Sequence, residues 1–261
     1  MIRDVNRKPA TRLISWLRKK LDPEKPQVGP NEQIQRNIEL KEQRRQLEEQ
    51  LEEQVQKTVG QLNASDALAA LGRSLNLKDA GTEAHCKRVT AFAAAIAREM
   101  NLLEERIRVI AYGAFLHDIG KMAIADVILK KPGPLDPAEF AFMREHCHRG
   151  YRIVNKGIPS LPEAAEIAYA HHENFDGTGY PRGLRGNGIP IGARIVAVAN
   201  TLDAMTSDRP YRVAGTLSEA VDEIQRCAGS QLDPEIVRPF LNIPSDIWLE
   251  LRRDSETLSS F

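Results

Sequence analysis

The amino-acid sequence predicts an all-α protein, a helical bundle preceded by a long, coiled-coil-like N-terminal helix. Three observations favour this fold class. Apolar residues recur at helical spacing nearly throughout from Ser65 onward, alternating β patterns are missing, and residues 31–59 contain neither glycine nor proline. The 261-residue chain is 42% hydrophobic and 28% charged, a composition typical of soluble globular proteins that excludes a disordered or collagenous chain.

Residues 1–30 are predicted to be a basic tail followed by a proline-rich linker. They carry eight Lys or Arg against three Asp or Glu. A short basic helix over 11–21 could lie on an acidic membrane surface, but a solvated tail is the favoured interpretation. No run reaches 18 apolar residues and the N-terminus lacks the apolar stretch of a signal peptide, so we expect no transmembrane segment and a cytoplasmic location.

Residues 31–64 are predicted to form one long helix with a narrow apolar stripe. Glu, Gln, Lys and Arg dominate the segment, and the sparse apolar residues recur at Ile34, Ile38, Leu47, Leu51, Val55, Val59 and Leu62. Such a stripe on a helix-forming background favours a parallel homodimeric coiled coil, although the heptad is imperfect between Leu40 and Leu47. A single helix folded back on the body is the alternative.

Residues 65–244 are predicted to form the helical body and residues 245–261 a C-terminal tail. Candidate helices cover 66–77, 82–100, 104–120, 136–156, 162–173, 190–208, 217–228 and 234–242. Plausible N-caps for these helices are Asp66, Thr82, Asp136, Ser218 and Asp233. Gly- and Pro-rich loops are predicted over 130–137 and 174–190.

Charge and cysteine content exclude several classes of function. The chain has 36 basic and 36 acidic residues, so it lacks the strong positive charge of a general nucleic-acid binder. Three cysteines without a CxxC pair predict neither a disulfide framework nor a thiolate zinc site. Cys86 and Cys147 each adjoin a candidate ligand histidine, and we interpret both as packing residues.

The histidines are concentrated in one part of the chain, since all six lie between residues 85 and 172. His117 and Asp118 end an apolar helix, where adjacent side chains point about 100° apart. A metal ion filling the angle between them would use both side chains. Lys121 follows on the same helical face, and its ammonium suits a phosphate oxygen better than a metal.

Further candidate ligands support a metal centre. His85 lies early in one predicted helix, His146 lies in another with Gly150 four residues later, and the pair His171-His172 ends a third. Glycine at that spacing would admit a second backbone. Six imidazole and carboxylate ligands match a dinuclear site with two divalent transition metals, iron or manganese ahead of structural zinc. The remaining histidine, His148, is expected to face solvent.

Together these motifs resemble the HD-GYP branch of the HD phosphohydrolase superfamily. The matching segments are HDIGK (117–121), HHENFDGTGYP (171–181) and DAMTSDRPYR (203–212), with His85 ahead of them and His146 between. The resemblance implies an HD-type helical bundle with a dinuclear or trinuclear metal centre. It also implies hydrolysis of the bacterial second messenger cyclic di-GMP to the linear dinucleotide, GMP or both.

The resemblance assigns roles to individual residues. The implied metal ligands are His85, His117, Asp118, His146, His171, His172 and, at the last ligand position, Asn200. Lys121 and Asp118 are the implied catalytic residues, and Arg209 and Arg212, with Lys121, would bind substrate phosphate and guanine. The name-giving loop Gly179-Tyr180-Pro181 would contact signalling partners, or would simply shape the pocket wall.

Two departures from the family pattern predict a weaker metal centre. Asn200 stands where the family has an aspartate, and an amide brings no charge to a divalent ion. Asp203, one turn away, could partly substitute for it. Gly81 stands where members with a third metal have a glutamate, so we expect at most two metals. The alternatives to a phosphodiesterase are a weakened binding or relay module and an HD hydrolase for another phosphoester.

Overall fold

The computed structural model of the chain describes residues 82–208 and 213–257, with single positions between 35 and 74. The chain divides into two compact units, residues 1–49 and 50–261. In the first unit every described position is helical, and Arg45 forms ion pairs with Glu42 at 2.6 Å and Glu49 at 2.8 Å. The basic tail, the linker and most of the predicted coiled coil lie outside the described residues, so the dimer stays a prediction.

The second unit is a bundle of α-helices, which confirms the predicted fold class. In chain order they are α1 Thr82–Glu99, α2 Glu104–Leu116, α3 Asp126–Leu129, α4 Pro137–Gly157, α5 Pro162–Ala170, α6 Ile191–Thr206, α7 Leu217–Arg226, α8 Pro234–Asn242 and α9 Ser245–Thr257. Short 3-10 helices cover Ile119–Ala123 and Gly186–Gly188. Within 82–208 and 213–257 there is no β-strand, and no helix of the described residues is long and apolar enough to cross a membrane.

Side-chain caps fix where several helices begin. Asp136 caps α4 as predicted, accepting from the backbone of Ala138 and Glu139 in a capping box. Asp233 caps α8 by accepting from the Glu235 amide. The cap of α7 is Thr216 and not the predicted Ser218, because Thr216 forms a capping box with Glu219. That helix therefore begins one residue before Ser218.

The main core is built around α1, which packs against α2, α6, α8 and α9. Phe92, Ile96, Ile110 and Leu202 are among its fully buried side chains. Glycines bring α2, α5 and α6 together, since a Cβ on either Gly113 or Gly192 would lie 2.5 Å from Ile167 Cδ1. A second apolar cluster joins the end of α2 to α4 and α5. His85 lies near the start of α1, His117, His171 and His172 follow the ends of α2 and α5, and His146 lies within α4.

The segment predicted as a C-terminal tail is instead a helix of the bundle. Helix α9 covers Ser245–Thr257, and Trp248 is only 2% exposed. Its indole contacts Phe92, with ring centroids 5.6 Å apart, and Phe240 at 5.1 Å. Trp248 is buried in the main core and Leu251 packs against it partly buried, but the rest of the segment is largely charged, so its sequence shows too little apolar periodicity to predict a packed helix.

Candidate metal centre

The structure brings together the six histidine and aspartate side chains that the sequence predicts as ligands. They come from four places in the bundle: His85 from α1, His117 and Asp118 from the end of α2, His146 from α4, and His171 and His172 from the end of α5. His117, Asp118, His146 and His171 are buried. His148, by contrast, is exposed, as predicted. The predicted ligands therefore form one cluster inside the protein.

Two helices end at the site, earlier than their sequences predict. Helix α2 was expected to reach residue 120 but ends at Leu116, and α5 was expected to reach residue 173 but ends at Ala170. The chain turns after Asp118 because Gly120 packs directly on α4: a Cβ there would lie 2.5 Å from the Gly150 amide nitrogen and would overlap the His146 carbonyl oxygen. Gly150 thus admits a second backbone, as expected.

Asp118 divides the cluster into two groups of donor atoms. In subsite A, His85 Nε2 and His117 Nε2 lie 3.3 Å apart, and Asp118 Oδ2 lies 3.9 Å and 3.3 Å from them. In subsite B, which also contains the His172 ring, His146 Nε2 and His171 Nε2 are 3.3 Å apart, and Asp118 Oδ1 lies 3.5 Å and 3.9 Å from them. One carboxylate therefore offers one oxygen to each subsite.

The hydrogen bonds of the rings fix which nitrogen faces the site. Nδ1 of three histidines donates to a backbone carbonyl three residues earlier: His117 to Ala114 at 2.7 Å, His146 to Met143 at 2.8 Å and His171 to Ala168 at 3.0 Å. A carbonyl oxygen only accepts, so in the neutral rings Nε2 carries a lone pair and no hydrogen. His146 and His171 thus turn two lone pairs toward each other, an arrangement that a shared cation stabilises.

Burial favours the neutral form of four of the imidazoles, which is the form that binds metal. Burial lowers the pKa of His85, His146 and His171, and it lowers the pKa of His172 to about 3. Burial alone would raise the pKa of Asp118, but Lys121 and the surrounding histidines outweigh it and hold the pKa of this carboxyl well below its usual range. Neutral imidazoles around a carboxylate fit a divalent cation.

Lys121 and Asp203 complete the charges around the cluster. Lys121 Nζ donates to Asp118 Oδ2 at 2.7 Å, on the helical face that the sequence predicts. Asp203, considered above as a substitute ligand, instead accepts from His85 Nδ1 at 2.6 Å and from Arg88 Nε at 2.5 Å. Asp203 therefore orients a predicted ligand, a role that sequence reasoning missed because 118 residues separate it from His85.

Cys147 is placed differently from its prediction as a packing residue. Its Sγ lies 3.5 Å from His146 Nε2. The donor atoms of Cys147, His146, His171 and His172 all lie within 4.8 Å of one another. Burial raises the pKa of the Cys147 thiol. Cys86, predicted in the same way, is buried in the apolar cluster around α2 and α4 and agrees with its prediction.

A cavity of about 350 Å³ opens beside subsite B. Its lining includes the following residues: Phe140, Arg144, His171, His172, Glu173, Asn174, Thr178, Gly179, Tyr180, Ala197, Asn200, Thr201 and Gln231. Asn200, predicted as the last ligand, therefore faces the same space as His171 and His172. The predicted substrate arginines Arg209 and Arg212, and Gly81, lie outside the described residues.

The loop that follows His172 forms one wall of this cavity. Buried Glu173 accepts from the backbone amides of Arg182 at 2.7 Å and Leu184 at 3.0 Å, which closes the loop on itself. Tyr180 stacks on His172, with ring centroids 4.8 Å apart, and the peptide bond to Pro181 is cis. The guanidinium carbon of Arg144 lies over the Tyr180 ring, 4.3 Å from its centroid. The loop thus shapes the pocket.

Comparison with known proteins identifies the family. A model of the HD domain matches residues 41–236. The chain therefore belongs to the HD domain family, and the resemblance drawn from its HD and GYP motifs is confirmed. A crystal structure of a cyclic GMP-AMP specific phosphodiesterase from Vibrio cholerae shares the fold, with a TM-score of 0.53 and 17% identity over 72% of this chain and 52% of that one.

Curated relatives are more similar in sequence. A cyclic di-GMP phosphodiesterase from Thermotoga maritima is 43% identical over 73% of this chain and 52% of its own length. The cyclic di-GMP phosphodiesterase response regulator RpfG from Xanthomonas campestris pv. campestris is 36% identical over 78% of this chain and 56% of its own. A 3'3'-cGAMP-specific phosphodiesterase from Vibrio cholerae is 37% identical over 66% and 33%. The chain spans about half the length of the first two relatives.

Proposed function

We propose that this protein is a metal-dependent phosphodiesterase that hydrolyses cyclic di-GMP to the linear dinucleotide, GMP or both. The observation that carries the proposal is the pair of subsites around Asp118, in which buried imidazoles turn their lone pairs toward each other beside an open cavity. The relatives named as cyclic di-GMP phosphodiesterases support this substrate. Localisation in the cytoplasm is part of the same proposal.

We infer that the site takes two divalent transition metals, iron or manganese. His85, His117 and Asp118 would hold one ion, and Asp118, His146, His171 and His172 the other, with Asn200 as a weak further ligand. Ions bound there supply an activated water near neutral pH and stabilise charge on the phosphoryl oxygens. Imidazole and carboxylate donors suit both metals.

The chain's own residues would position the substrate and balance its charge. Lys121, held against Asp118, places a positive charge where negative charge develops on phosphorus, and this is the electrostatic role we assign to it. Arg209 and Arg212 would bind the second phosphate or a guanine edge through their guanidinium forks. Burial lowers the pKa of His146 and His171, so these two rings stay neutral at physiological pH and do not compete as proton donors.

The test is a turnover assay on the full chain purified without oxygen. Bound iron and manganese are measured first, and hydrolysis of cyclic di-GMP and 3'3'-cGAMP is then followed side by side. We expect metal-dependent hydrolysis with cyclic di-GMP as the better substrate, and loss of both metal and turnover in His171→Ala. Exposed His148→Ala is the matched control. A metal-replete protein that cleaves neither dinucleotide would contradict the proposal.

We also propose that residues 31–64 form a parallel homodimeric coiled coil, with 1–30 as its basic tail and 65–244 as the catalytic body. The sparse apolar stripe of that segment supports pairing with a second copy. Light scattering on the full chain should give the mass of a dimer. A monomer at micromolar concentration would show that the helix is unpaired. Binding of signalling partners to the Gly179-Tyr180-Pro181 loop stays a prediction.

A further inference from the structure

Cys147 occupies a position in subsite B that packing alone does not require. It follows His146 on α4, and its sulfur is turned inward, 3.5 Å from His146 Nε2. Together with His171 and His172 it completes a group of four donor atoms, all within 4.8 Å of one another. Four donors around a tetrahedral zinc ion are about 3.3–3.8 Å apart, as bond lengths of 2.0–2.3 Å imply. The four donor atoms, which lie within 4.8 Å of one another, would have to move together by up to about 1 Å to bind one ion, a shift that small side-chain rotations can supply.

The charges of the cluster also favour a further anionic donor. The described donor groups consist of neutral imidazoles, the carboxylate of Asp118 and the thiol of Cys147. Asn200 on the cavity wall adds a neutral amide. Asp203 is already bound to Arg88 and His85, and Glu173, which also lines the cavity, accepts from the backbone amides of Arg182 and Leu184. Two divalent cations would then share a single carboxylate, so a thiolate would reduce the uncompensated positive charge in a buried site.

We propose that Cys147 is a thiolate ligand of the ion in subsite B, where it adds one sulfur to the three imidazoles and the Asp118 carboxylate, so that the subsite accepts zinc, cobalt or ferrous iron more readily than manganese. The proposal rests on the proposed function only in that the cluster binds a divalent ion. Binding replaces the S–H bond of Cys147 by a metal–sulfur bond and releases one proton to solvent. No electron is transferred. Soft thiolate donors favour zinc and iron over manganese.

Cys86 provides a matched control within the same chain. It also directly follows a predicted ligand, His85, and is 1% exposed. Its sulfur, however, does not belong to the group formed by His85, His117 and Asp118. Replacing either cysteine with alanine removes one buried sulfur beside one histidine. Only the replacement at Cys147 removes a donor atom from a candidate subsite.

The first experiment loads the full chain with Co²⁺ and records its near-ultraviolet spectrum. A cobalt–thiolate bond gives a charge-transfer band that imidazole and carboxylate ligands do not give. We expect this band in the parent protein and in Cys86→Ala and its loss in Cys147→Ala. Zinc affinity in Cys147→Ala should fall at least tenfold, since even residues outside the ligand shell cost about 10–100-fold. Manganese affinity should change little.

A second measurement needs no variant and so does not depend on the folding of one. X-ray absorption of the zinc-loaded parent protein should show a sulfur scatterer at about 2.3 Å. Bound metal without that scatterer, or a cobalt band that persists in Cys147→Ala, would overturn the proposal. Hydrolysis of cyclic di-GMP is measured on the same samples. Turnover without a sulfur ligand refutes only Cys147, whereas a sulfur ligand without turnover refutes only the proposed function.

Discussion

At the scale of single residues, Asn200 is the departure from the family pattern that bears most directly on activity. It lines the cavity beside His171 and His172 but brings no charge to an ion. We expect Asn200→Asp to raise the affinity for the divalent ions by about tenfold, because carboxylates bind hard cations more tightly than amides do. Calorimetric titration of the metal-free protein with Mn²⁺ measures this directly.

The control for that change is Asn174→Asp in the same cavity. The side-chain amide of Asn174 donates to Thr178 within the loop. This hydrogen bond does not involve any of the predicted metal ligands. If both substitutions raise metal affinity equally, added negative charge in the cavity explains the effect. In that case Asn200 is not a ligand position.

The buried histidines also predict how stability depends on pH. The pKa values of His85, His146 and His171 are lower in the folded protein than the ordinary value near 6.5, and that of His172 falls to about 3. Their contribution to stability is complete above pH 6.5 and is lost as the pH falls toward 3, because only the unfolded chain takes up the protons. Each such histidine adds about 1.4 kcal/mol per pH unit to the slope.

Urea unfolding of the metal-free protein between pH 7.5 and 5 measures that slope. The lowered pKa values of Asp118 and Asp203 act in the same direction, but only at more acidic pH, below the ordinary range of a carboxyl. His171→Phe should reduce the slope, whereas His148→Gln, at an exposed position, should leave it unchanged. A flat profile would mean that the buried rings are protonated in the folded state.

At the scale of secondary-structure elements, the close packing of the 3-10 helix on α4 positions half of the site. Gly120 leaves no room for a Cβ against the backbone of His146 and Gly150. Gly120→Ala should therefore push Ile119–Ala123 away from α4, lower the free energy of unfolding by about 1–3 kcal/mol and weaken metal binding. Thermal unfolding and metal titration of the variant test both effects.

Gly188→Ala is the comparison variant, since nothing lies within 4 Å of a Cβ built there. Its stability should stay within about 0.5 kcal/mol of the parent. A Gly120→Ala protein that keeps its stability and its metal affinity would show that α4 can shift without moving His146. The contact between the two backbones would then have no part in forming the site.

At the scale of the whole molecule, α9 is linked by hydrogen bonds to the residue that orients His85, because Arg252 donates to Ser207 and Ser207 donates to Asp203 at 3.2 Å. Trp248 fills the space between Phe92 and Phe240, and Arg252 donates to Ser207 at 3.1 Å. Trp248→Ala should cost about 3–5 kcal/mol of unfolding free energy. Exposed Leu249→Ala should cost far less, and chemical denaturation of the two variants decides whether α9 belongs to the cooperative unit.

The sequence predicted those features that depend only on residue type and on spacing between nearby residues. His117, His146 and His171 are recognisable by residue type and spacing, and the capping residues Asp136 and Asp233 by their position before proline. The positioning role of Asp203 was not predictable, because it depends on a contact with a helix far away in the chain.

Contacts that depend on tertiary packing account for the other differences. Helix α9 has one buried aromatic residue, Trp248, in a largely charged sequence. Its packing depends on contacts with Phe92 of α1 and Phe240 of α8, which the local sequence does not indicate. Cys147 has the residue type of a packing side chain, and only the folded cluster shows its sulfur beside three imidazoles. Helix α2 ends early because the backbone at Gly120 packs directly on α4.

The single carboxylate of Asp118 couples metal binding at the two subsites. One oxygen of Asp118 is directed to His117 and the other to His146. Rotation of the carboxylate therefore changes the geometry of both subsites at once. An ion held by either group would restrain that rotation further and would leave the second carboxylate oxygen placed for the other subsite. We therefore expect metal binding to be cooperative, so that both subsites fill over a narrow range of metal concentration.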